Sequence, residues 1–197
     1  MSLPDRLTFL RVILAPLFFI VYFLPALLPL QFSAVLLVSL LWIIFIVSEI
    51  TDMLDGMAAR RLNQGSDFGK LFDPFADTLM QLTIFLCFVI DGIFPAILFI
   101  VVLYREYGIL FMRNLMLRKG VTMGARMGGK IKTVTYIAAG ALALLHVSLV
   151  RLDAAETAQP VVKIAAIAVF CVSVIFSVTS FLDYLTVYRA AGRSDAS

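Results

Sequence analysis

Histidine occurs once, tryptophan once and cysteine twice in 197 residues, and only 15% of the chain is charged. Each scarcity removes a class of function. Cys87 and Cys171 both lie inside apolar runs and read as core or lipid-facing residues, not as a disulfide or a zinc shell. A soluble domain carries about one quarter charged residues. With 62% hydrophobic residues and mean hydropathy +1.02, this chain falls instead into the polytopic membrane class. No basic soluble module is present, so nucleic acid is not a partner. There is no internal repeat, and the one biased segment is a small polar tail, Gly192 to Ser197.

Long apolar runs are what the chain does have. The first, Val12 to Leu30, is too long for the apolar region of a signal peptide and lacks a small-residue cleavage site, so it reads as a retained span. Hydropathy predicts an all-α integral membrane protein with six transmembrane helices, near 9–29, 32–61, 67–90, 94–118, 130–150 and 161–189. One domain then fills residues 1–197, with no room for a soluble one. Ser2 to Arg11 mix charge with apolar side chains. They suit either a short N-terminal interfacial helix or a plain helix start with Asp5 near the N-cap.

The charge that exists is lopsided. Thirteen of the 16 Lys and Arg fall at the termini or in the loops after the second and fourth spans. The opposite loops hold only Arg151 and Lys163, and Arg105 sits within a span. This bias predicts that both termini and the basic loops face the cytoplasm. A basic cytoplasmic face suits anionic lipids and phosphorylated substrates.

Carboxylates cluster where the basic face meets the second and third spans: Asp52, Asp55, Asp67, Asp73 and Asp77, with Arg60 among them. Asp52 and Asp55 are i,i+3 and share one helix face, and Asp73 and Asp77 are i,i+4 and share another. An antiparallel hairpin of the two spans lets four carboxylates converge. Their repulsion calls for cations, and an all-oxygen set selects hard ions such as Mg²⁺ or Mn²⁺. Gly56, Ala59 and Gly69 leave room on the same faces for close helix packing or for a flat ligand.

The run Asp52-x2-Asp55-Gly56-x2-Ala59-Arg60-x8-Gly69-x3-Asp73-x3-Asp77 resembles the signature of the CDP-alcohol phosphotransferase family at all eight positions. The resemblance implies two divalent metal ions, Mg²⁺ or Mn²⁺, and transfer of a substituted phosphoryl group from a CDP-linked lipid to an acceptor hydroxyl, with CMP leaving. It implies metal ligation by Asp52, Asp55, Asp73 and Asp77, with Asp77 also the general base. It assigns the CDP donor to Asp52, Gly56, Ala59, Arg60 and Gly69. Homodimerisation is typical of the family.

Other stretches bear on the acceptor. Leu7-Thr8-x2-Arg11, Arg105-Glu106 with Arg113, and Gly129-Lys130-Ile131-Lys132-Thr133 resemble the branch that joins CDP-diacylglycerol to glycerol 3-phosphate. Carried over, Thr8, Arg105, Arg113 and Lys130 are acceptor-phosphate ligands. Independently, an intramembrane Arg105 points to function, with a structural Arg105–Glu106 pair as the alternative. Asp5 and Asn114 depart from that branch's pattern. Inositol phosphate, serine or choline as acceptor, and a cation or metabolite transporter, are the competing readings. His146 lies near the end of its span opposite the acidic motif and takes no role.

Overall fold

In a bilayer core, an apolar segment can satisfy its backbone N–H and C=O groups internally only as a helix, or in a closed barrel. The computed structural model describes residues 3–28, 32–62, 67–118 and 127–194, with side chains described over 6–28, 32–54, 72–116, 131–186 and at 188. Six helices follow one another: α1 (Leu3–Leu27), α2 (Ala34–Leu62), α3 (Asp67–Ile90), α4 (Ala96–Arg118), α5 (Met127–Arg151) and α6 (Gln159–Ser194). No strand occurs among the described residues. The helices bracket the predicted spans within a few residues, except that α1 starts six residues earlier and α6 runs five further. At the N-terminus the described helix runs unbroken from Leu3 into the first span.

Among the described residues, five helices are long and apolar enough to cross a membrane. The sixth, α4, has the length but carries Arg105, Glu106 and Arg113 along it. Large side chains such as Ile97, Val134, Ile164 and Ile175 are more than 60% exposed, the surface expected of helices that face lipid.

Helix ends follow local chemistry. Ser33 caps α2, accepting from the Leu36 N–H at 3.5 Å. After α3 the chain reverses at Gly92, whose φ of +67° is the left-handed conformation that glycine adopts freely. There the Gly92 and Ile93 N–H groups donate back to Val89 and Phe88 at 3.0 and 2.8 Å.

α1 lies against α2 and α3, α5 forms a hairpin with α6, and α4 packs on α6 and α3. An aromatic cluster joins the two halves. Phe85 of α3 meets Phe94, Tyr136 of α5 and Phe170 of α6 edge-on at 5.5, 5.2 and 5.1 Å between centroids. Phe94 stacks on Phe170 at 4.1 Å. Such pairs contribute about 0.5–1.5 kcal/mol each beyond their buried area. At the end of the bundle away from the acidic motif, Tyr22 donates to Asp91 at 2.6 Å, and Arg151 donates to the Tyr22 carbonyl at 2.8 Å. That clasp ties α1 to the ends of α3 and α5.

Candidate active site

The i,i+4 spacing puts Asp73 and Asp77 on one side of α3, opposite Asp52 of α2, and α1 lies against both helices. The result is a cluster in which carboxylate oxygens of Asp52, Asp73 and Asp77 all lie within 4.8 Å of one another. The side chains of Asp55, Ala59, Arg60 and Lys130 lie outside the described residues, and the surroundings of Gly56 and Gly69 do too.

Arg11 of α1 enters this cluster from beneath. Its side chain is 1% exposed, and its guanidinium donates to Asp52 at 2.6 Å and also to Asp73 and Asp77. One turn earlier, Thr8 donates to Asp73 at 3.4 Å. Arg11 stands out by sequence only as a charge beside the first span and within the Leu7-Thr8-x2-Arg11 stretch. Its i,i+3 spacing from Thr8 is the signal that both face the same partner.

Next to the cluster is a small cleft of about 80 Å³, walled by Arg11, Glu49, Asp52, Asp77, Glu106 and Lys132 among others. Four of these six are acids and two are cations, so the wall carries surplus negative charge. The carboxylates of Asp52, Asp73 and Asp77 offer oxygen alone, a ligand set that fits a hard divalent cation.

On the cleft wall, Glu106 is buried at 8% exposure and accepts from Arg105 and Lys132, each at 2.9 Å. Arg105 spends its other donors on α6, to the Ser177 carbonyl at 3.0 Å and the Ser180 hydroxyl at 3.2 Å. Lys132 also lies over the Tyr136 ring at 4.6 Å, and Tyr136 donates to Ser177 at 2.8 Å. Arg113 turns to α6 as well, donating to the Tyr184 hydroxyl at 3.2 Å. Thus Thr8 joins the acidic cluster, while Arg105 and Arg113 contact α6. Lys132, which sequence reasoning mentioned only as a basic neighbour of Lys130, stands on the cleft wall. Glu49 escaped sequence reasoning altogether, although it lies i,i+3 from Asp52.

His146 makes a 3.0 Å contact with the Gln159 carbonyl at the far end of the bundle.

A helical membrane protein with an all-oxygen acidic cluster at one end, beside a cleft that also holds buried cations, defines a class of metal-competent membrane enzyme. The family model described as CDP-alcohol phosphatidyltransferase matches residues 1–179, and the chain belongs to that family. It is therefore a phosphatidyltransferase enzyme, and the transporter reading is set aside. Divalent-metal use is general in the family. Curated relatives run nearly end to end with it. A protein of Treponema pallidum named CDP-diacylglycerol–glycerol-3-phosphate 3-phosphatidyltransferase is 36% identical over 98% of this chain and 94% of its own length. Proteins with the same name in Escherichia coli K12 and Bacillus subtilis are 32% and 34% identical. The first alignment covers 96% of both chains, and the second 74% of this chain and 77% of the relative.

Proposed function

We propose that the chain transfers the phosphatidyl group of CDP-diacylglycerol to glycerol 3-phosphate, giving phosphatidylglycerophosphate and CMP. The observation that carries this reading is the convergence of Asp52, Asp73 and Asp77 in a chain that aligns end to end with relatives named for this reaction. Two divalent ions, Mg²⁺ or Mn²⁺, held by Asp52, Asp55, Asp73 and Asp77, would neutralise the pyrophosphate and stabilise attacking and leaving oxygens.

The chain's own groups supply the rest. Asp77, on the cleft wall, takes the proton of the acceptor hydroxyl. The freed oxygen bonds to the lipid-side phosphorus, and the bond from that phosphorus to the CMP oxygen breaks. Arg60, with Gly56, Ala59 and Gly69, holds the cytidine end. Thr8, Arg105, Arg113 and Lys130 are the acceptor-phosphate set, and Lys132 joins them from the wall. Glu106 supports that role by tying Lys132 to Arg105. The working arrangement is one domain over residues 1–197, a homodimer in the inner membrane, with termini and site facing the cytoplasm. The lopsided Lys and Arg distribution supports this orientation.

The test is CMP release by the purified protein from CDP-diacylglycerol with Mg²⁺, across glycerol 3-phosphate, inositol phosphate, serine and choline. Release is expected with glycerol 3-phosphate and is expected to stop when EDTA removes the metal. Faster release with another acceptor overturns the acceptor assignment, and EDTA-resistant release overturns the metal.

A further inference from the structure

We propose that Arg11 is the metal's built-in competitor, a counter-cation that must leave Asp52, Asp73 and Asp77 before a divalent ion can occupy them. This rests on the metal reading above. The same three carboxylates are in question. Arg11 donates to one oxygen, Oδ1, on each of the three aspartates, and those aspartates form the one group of three or more acids, among the described residues, close enough to share an ion.

A divalent ion needs such oxygens at about 2.0–2.6 Å. A guanidinium in hydrogen-bond contact with the acids uses lone pairs that an ion would need and carries like charge. The two cations therefore compete for the same carboxylates and repel each other.

The site is built for the exchange on the arginine side. A planar guanidinium presents five donors and serves several carboxylates at once, which a lysine ammonium does less well. Three acids this close repel strongly unless compensated, and Arg11 supplies a compensating positive charge. The released guanidinium is not stranded, because Arg11 also walls the cleft beside Lys132. An anionic substrate entering that cleft meets it there. The metal's apparent affinity is then its intrinsic affinity multiplied by the fraction of molecules whose Arg11 has already left.

The experiment uses the full-length protein in detergent micelles and Mn²⁺ alone as probe, with free Mn²⁺ read by electron paramagnetic resonance. Wild type is compared with Arg11→Gln, Arg11→Lys and Arg6→Gln. Arg6 is exposed on the same helix and controls for charge acting at a distance. If Arg11 is free of the acids in one molecule in ten or fewer, Arg11→Gln binds Mn²⁺ about tenfold tighter or more. Arg11→Lys falls between it and wild type, and Arg6→Gln stays near wild type. In EDTA, Arg11→Gln melts below wild type and gains more than wild type on adding Mn²⁺. Should Arg11→Gln need Mn²⁺ to survive purification, Arg11→Lys carries the affinity comparison.

Mn²⁺ binding by both Arg11 variants that is no tighter than wild type overturns the exchange and leaves the metal site standing. Equal tightening in Arg6→Gln overturns it too, as general electrostatics. Absence of Mn²⁺ binding in every protein overturns the metal reading together with it.

Discussion

Arg11 is 1% exposed, while the three carboxylates that it contacts are 37, 41 and 45% exposed. The acids face the opening and the cation lies below them, so an incoming ion meets oxygen first. Asp77 shares the cleft wall with Asp52, whereas Asp73 is not among the residues that wall it. If Asp77 is the base, Asp77→Asn lowers turnover by about 10²–10⁴-fold. Donor KM should then rise less than in Asp52→Asn, as steady-state kinetics with varied CDP-diacylglycerol would show. Equal loss of donor binding in both variants reassigns Asp77 to metal ligation alone. Glu106 makes a second case. Its carboxylate is the shared acceptor of Arg105 and Lys132, and Glu106→Leu leaves buried Arg105 and largely buried Lys132 without their common partner. Breaking a buried pair in this way costs about 3–5 kcal/mol, to be read as a lower melting temperature in detergent. An unchanged melting temperature would mean that the network is open to water.

At the scale of the helix, α4 shows how charge is carried through an apolar bundle. Arg105 and Arg113 reach hydroxyl and carbonyl groups of α6 at Ser177, Ser180 and Tyr184, so α6 supplies the partners that lipid cannot. Close approach elsewhere depends on glycine. A Cβ on Gly140 of α5 would lie 3.2 Å from the ring of Phe45, itself buried on α2. Gly140→Ala is expected to be nearly neutral, because a helix-propensity gain of about 1 kcal/mol offsets the tight contact. Gly140→Leu forces α2 and α5 apart and is expected to cost about 1–3 kcal/mol or more. Thermal unfolding of the two variants side by side checks this, and a Leu variant as stable as the Ala variant would refute the close packing.

Across the whole molecule, the acidic cluster and the Tyr22–Asp91–Arg151 clasp mark opposite ends of one helical bundle. If the Lys and Arg bias sets orientation, a single cysteine at Arg6 in a background lacking Cys87 and Cys171 reacts with an impermeant maleimide only after cells are opened. A cysteine at Glu156, exposed in the turn between α5 and α6, reacts in intact spheroplasts. The reverse pattern would turn the active site outward, away from the cytoplasm to which it is assigned.

By itself the sequence determined the number and approximate limits of the helices, because apolar runs of about 20 residues have no other stable form in lipid. It also determined the acidic motif, because i,i+3 and i,i+4 spacing puts carboxylates on one face whatever surrounds the helix. Only the tertiary structure decided what completes the cluster. Arg11 lies 41, 62 and 66 positions from the acids that it contacts, and no helical period links positions so far apart. It likewise decided the partners of Arg105. The adjacent Glu106 was legible, but Ser177 and Ser180 lie more than 70 positions away and meet it because α4 packs on α6. Local spacing sets which face a side chain occupies, whereas packing of distant helices sets what that face meets.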